Sequence, residues 1–338
     1  MQITTITNTV NFIKKHKGFL VICGVIIICT SLLITAQHQS RQKPTPSPMP
    51  VQISKLPIEP AQTENANAIY TNNIGTAPNV DNVYIFTTSN DQSSYIDPTD
   101  LGFTSTDYDQ GSNTWFNASI GRFNTSTQPN HIYFQPPLPK PFPEPQTINN
   151  EQVQQANNSV ITTYKLSPES HPLLVSQIQY LLSNGYNALG AKSIKDANLI
   201  KTTYAFSLEG RSLYMSTAPL ESCTISITST FTTNNISCYQ FPTIIQKTPT
   251  APISLATAFK ALQANQGTLI SATTPGNTEA AVELNYSNAS ITKSSLVYLY
   301  LSNESKIVPA YLLFGTAPST SNGQQYNVTY VVPAYSDQ

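Results

Sequence analysis

Apolar residues fall along this chain in two rhythms, and each rhythm predicts its own element. Leu174, Ile178, Leu181 and Leu182 stand at i, i+4, i+7 and i+8, the spacing that lines one face of a helix. Ser167, followed by Pro168 and Glu169, supplies a start, and Gly185 a stop. Leu255, Ala258, Phe259 and Leu262 repeat the pattern behind Ser254 and ahead of Gly267, predicting a second helix. Elsewhere the composition is that of strands: VYIFTT (83–88), HIYF (131–134), CTISITSTF (223–231), AAVELNY (280–286) and YNVTYVVPAY (326–335). TYAFSL and RSLYMST meet at Glu209 and Gly210, which predicts a tight hairpin. A second hairpin is written in SLVYLYLSNESKIVPAYLLFG (295–315), two apolar runs around a polar SNES.

The order helix, polar interval, hairpin, final strand thus occurs twice. It predicts an α+β fold of two similar helix-on-antiparallel-sheet units, 160–247 and 250–338. Ahead of them, 80–150 reads as a β-rich module closed by the proline linker PPLPKPFPEPQ, and 37–79 as an extended proline-rich stalk. Residues 18–36 form an uncharged run of about 19 residues, long enough to span roughly 28 Å of bilayer. Lys14, Lys15 and Lys17 directly precede it. The positive-inside rule then predicts a single-pass anchor in the cell membrane with 1–17 as a cytoplasmic tail and the bulk of the chain extracytoplasmic. A signal peptide cleaved near Ala36 is the alternative.

Charge sharpens this picture mainly by its absence. The net charge is −1 and only 10% of residues are charged, against about 25% in an average soluble domain. No basic surplus points to nucleic acid. Outside the membrane run the cysteines are Cys223 and Cys238, an even pair in a strand–turn–strand segment that predicts a disulfide.

Catalytic patterns are missing. Neither His131 nor His171 has a nucleophile or carboxylate at a known spacing, and no serine sits in GxSxG or SxxK. Asp97, Asp100, Asp107 and Asp109 form one acidic cluster, but the order of a calcium loop fails, since position twelve, counted with Asp107 as position one, is Ala118. No metal or cofactor is expected. Asn117, Asn124, Asn235, Asn285, Asn303 and Asn327 open Asn-x-Ser/Thr triplets, sites for glycosylation where the host performs it. In the 295–315 hairpin both faces of the first strand are apolar, as in a central strand. Pro309 lacks an N–H and places the second strand at an edge or bulge. An edge beside the Tyr-rich face of Tyr298, Tyr300 and Tyr311 is where a partner strand is expected to add.

The run from Ala258 to Leu262, the strand from Val297 to Leu301 and the turn-bearing strand from Val308 to Phe314 resemble the C-terminal portion of YycI/YycH-type proteins and related PepSY-like domains. The resemblance covers residues 252–334 and, in the order of its elements, 163–231. It implies an extracytoplasmic sensor or regulator that acts by binding, on a membrane-bound histidine kinase or a protease. With no active-site pattern, the expectation is a non-enzymatic binding or regulatory protein whose partner is another membrane or envelope protein. A structural or adhesive surface protein that binds glycan or neighbouring cells is the alternative, and an envelope hydrolase a third.

Overall fold

The residues spaced for a helix at 174, 178, 181 and 182 form a strand. In the computed structural model, which describes residues 53–58, 60, 68–78, 81–89, 96–109, 113–127, 130–185, 187–215, 221–274, 284–320 and 323–336, Leu173–Ser183 runs antiparallel to Leu199–Leu208. Positions 174, 178 and 182 are spaced by four, so they satisfy a period of two as readily as one of 3.6. Val175, Ile178 and Tyr180 favour the extended form, and a buried neighbour is there to receive it. The helix forms upstream, at Asn150–Thr163 (α1), where the Asn149 side chain accepts from the Gln152 N–H at 2.9 Å and Gln152 Oε1 accepts from the Asn149 N–H at 3.0 Å. That reciprocal capping box satisfies two N–H groups at the helix start.

Among the described residues the strands are, in chain order, β1 (Ile69–Asn72), β2 (Val83–Ser89), β3 (Tyr108–Asp109), β4 (Thr114–Asn117), β5 (Gly121–Thr127), β6 (Asn130–Gln135), β7 (Leu173–Ser183), β8 (Ala188–Gly190) and β9 (Leu199–Leu208). They continue as β10 (Arg211–Met215), β11 (Cys223–Thr228), β12 (Thr233–Tyr239), β13 (Thr243–Thr250), β14 (Thr268–Thr273), β15 (Asn288–Leu301), β16 (Lys306–Pro318) and β17 (Gln325–Pro333). A second helix, α2 (Leu255–Gln263), has Ser254 as its cap, accepting from the Thr257 N–H.

Two antiparallel runs emerge from the pairings. One reads β8–β7–β9–β11–β12–β6–β5–β4–β3, and the other follows β15–β16–β17–β14, with β2 and β13 continuing beside β16. The joint is β10, which is the hairpin partner of β9 and lies parallel to β15. Strands from 80–150, 160–247 and 250–338 therefore exchange hydrogen bonds across the segment boundaries. The expected α+β fold is corrected by this result: the chain is mostly β, one large mixed sheet with two α-helices among the described residues. The pair of helix-on-sheet units fails because β7 occupies the place of the first helix.

Each helix covers one part of the sheet. Val153 and Val160 of α1 pack with Phe123, Phe134, Ile200 and Ile225, while Ala258 and Leu262 of α2 pack with Leu269, Tyr311 and Leu313. Cys223 and Cys238 stand directly opposite on β11 and β12, both buried, and are joined by a disulfide. Glu209 and Gly210 both take positive φ, 50° and 71°, the two-residue turn that matches strand twist.

Every described residue belongs to one compact unit, Gln52–Gln338. The tail 1–17, the anchor 18–36 and much of the stalk 37–79 lie outside the described residues. Among the described residues no helix is long and apolar enough to cross a membrane. The single-pass, membrane-anchored placement is corrected to this extent: no described residue supports it.

Candidate functional site

The hairpin expected to offer a docking edge is core. Tyr298 and Tyr311 are fully buried, and Tyr300 nearly so. The Tyr298 hydroxyl accepts from the Tyr84 N–H at 3.3 Å, and that of Tyr311 donates to the Ile253 carbonyl at 2.9 Å. Burial pushes the Tyr311 phenol up to about 12, so it stays a neutral donor. Pro309 lies inside the sheet, opposite Tyr298, and its carbonyl accepts from Ala334 N–H. The proline is tolerated there because its open side falls where the neighbour of β16 changes. β2 pairs as far as Ile307 and β17 begins opposite Ala310, so the missing N–H breaks no ladder. The docking edge assigned to Tyr298, Tyr300, Pro309 and Tyr311 is therefore corrected.

An open edge exists elsewhere, along β7. On its inner side every other residue of β9 bonds to it: the Ser207 N–H donates to the Pro172 carbonyl, whereas Tyr204 turns away and accepts from Ser222. By this alternation Leu174, Gln177 and Gln179 bond inward, and Val175 and Ile178 present their backbone outward. Ser176 is the extra residue of a bulge between Val175 and Gln177. On the outer side β8 pairs only with Leu181, Leu182 and Ser183, and Ala191 N–H reaches the Tyr180 carbonyl. From Leu173 to Gln179 that side has no strand neighbour among the described residues.

What distinguishes this edge is that it is long and exposed yet guarded by neither charge nor proline. Natural sheets blunt open edges with lysine, proline or very short strands. β13 is such a case: it pairs with β2 alone and carries Lys247 and Pro249. β7 is eleven residues long and has neither a charge nor a proline. Leu174 is 41% exposed and Val175 51%; its single irregularity is the bulge at Ser176. The signal was present in LLVSQIQYLLS as an uncharged run of β-formers, but the helical spacing concealed it.

Several titratable groups are employed structurally. His131 Nε2 lies 2.9 Å from Ser237 Oγ, and burial holds the imidazole below its ordinary value. His171 stacks on Phe241 with ring centroids 4.0 Å apart. Asp97 accepts from the N–H and hydroxyl of Thr99, and Asp107 does the same from Thr104. These bonds hold both carboxyls below the usual carboxylate range. Among the described residues no three His, Cys, Asp or Glu side chains gather as a metal site would require.

Two hollows open among the described residues. The smaller, about 260 Å³, is bordered by Glu304 and Lys306, which pair with each other at 3.6 Å. The larger, about 580 Å³, opens at the C-terminal end of α1 over Ile96 and Phe134. Scanned against protein-family models and searched against curated proteins, the chain matches none.

Proposed function

We propose that this is a non-enzymatic binding protein that acts by contact with another protein, taking an extended segment of its partner as an added strand on the outer edge of β7. The carrying observation is the exposed edge from Leu173 to Gln179, which has neither charge nor proline, whereas the open edge of β13 carries Lys247 and Pro249. Main-chain hydrogen bonds supply affinity in such additions, and alternate side chains supply selectivity. The partner segment is neutral and short, with apolar residues at alternate positions: β7 has no charge to answer one, and β8 blocks its far end beyond Gln179. A second copy of this chain fits less well, because two-fold self-pairing of 173–179 sets the bulge residue Ser176 against itself. Regulation by contact is also what the resemblance to YycI/YycH-type and PepSY-like proteins implies. The buried Cys223–Cys238 disulfide supports work in an oxidising compartment.

A photo-crosslinking amino acid at Val175 tests this, with one at Ile245 on the guarded β13 edge as the control; both positions are exposed. The expected result is one defined adduct from Val175, mapping to a neutral extended segment of another protein. Leu174→Lys abolishes it, and Ile245 gives none. Equal adducts from both positions, no adduct at all, or an adduct of twice the chain mass overturns the proposal, the last in favour of self-association.

A further inference from the structure

The larger cleft is built from four separate elements. The end of α1 brings Tyr164 and Lys165, a short helical turn brings Asp100, the β4–β5 turn brings Ile120, and the end of β6 brings Phe134 and the Pro136–Pro137 pair. At about 580 Å³ it falls within the range of small-molecule sites, roughly 300–1,000 Å³. Ile96 and Phe134 make a buried apolar floor, and the Tyr164 ring lies 5.6 Å from that of Phe134. The rim carries one charge of each sign, Asp100 and Lys165, and neither takes part in an ion pair among the described residues. Lys165 is held there by a left-handed backbone at φ 47° directly after the helix, its N–H donating to Thr162. The other acids of this loop, Asp97 and Asp107, spend their carboxylates on capping turns; Asp100 does not.

We infer that this cleft is a binding site for a small zwitterion with an apolar or aromatic body, of the class of a free amino acid or a short peptide's end. The apolar body rests on Ile96 and Phe134, its ammonium turns to Asp100 and its carboxylate to Lys165. Apolar contact carries most of the affinity, because solvent-exposed charges add little each; the charges select for a ligand bearing both signs. The site lies on other elements than the β7 edge, and its failure leaves the strand-addition reading untouched.

Calorimetric titration of the protein with L-phenylalanine, and separately with N-acetyl-phenylalanine amide, tests the inference. Saturable binding of the free amino acid is expected, weakened about fivefold by Lys165→Met and similarly by Asp100→Asn, the upper end for an exposed ion pair. The blocked derivative is expected to bind the parent protein more weakly and to be indifferent to both substitutions. No saturable heat with L-phenylalanine overturns the site. Equal binding of the two probes, or binding that neither substitution weakens, overturns the zwitterion assignment.

Discussion

Truncating Tyr298 to alanine is expected to cost about 3–5 kcal/mol of folding stability, the range for removing a large ring from a packed core. The ring is fully buried at the centre of the sheet and meets Phe86 edge-on at 5.4 Å. Its neighbours sit in regular β-structure and have little freedom to collapse into the space. Tyr298→Phe removes only the hydroxyl that accepts from Tyr84 N–H, and is expected to cost about 1 kcal/mol. Equilibrium denaturation of both variants checks the pair of values. The contrast separates a core role from a contact role: a docking tyrosine on an exposed edge would change stability by about 0.5 kcal/mol or less.

Removing the disulfide is the second large effect. Cys223 and Cys238 are separated by 15 residues, and cross-linking a loop of that size stabilises by about 3 kcal/mol in the chain-entropy view. The double variant Cys223→Ser/Cys238→Ser is expected to lose about that much, seen as a lower denaturant midpoint. The parent protein should fall toward the same midpoint in reductant, and the variant should not respond to it. A parent midpoint indifferent to reductant, with loss of the disulfide verified, contradicts the assignment.

The parts of the fold legible in the sequence are those fixed by local chemistry. Glu209–Gly210 turns as its residue types demand, Ser254 caps α2, and the spacing of Cys223 and Cys238 matches two paired strands. What escaped was decided by distant partners. In α1 only Val153, Asn157 and Val160 are buried along fourteen residues, so its apolar stripe is too thin to register; its start was marked only by the Asn149–Gln152 capping box. β7 carries apolar residues at a spacing shared by helix and strand, and β9, some twenty residues on, decides between them. Pro309 signals an edge by its own chemistry, yet a change of neighbour beside β16 absorbs the missing donor within the sheet.

The same dependence on distant pairing hid the candidate contact site. An uncharged, proline-free strand is legible as such; whether it lies in the middle of a sheet or at its rim depends on how many strands arrive beside it. In β15 the apolar run is enclosed between β16 on one side and β1 and β10 on the other. In β7 the same kind of run is left with one side open.

Amide hydrogen exchange of the isolated protein, followed by fragmentation that resolves single amides in β7, tests the central claim most directly. The outward N–H of Ile178 is predicted to exchange fast while those of Gln177 and Gln179, bonded to β9, exchange slowly. Binding of the partner identified by crosslinking at Val175 is predicted to slow Ile178 selectively. An Ile178 amide already as protected as Gln177 and Gln179 in the isolated protein would mean the edge is covered, and would contradict strand addition at β7.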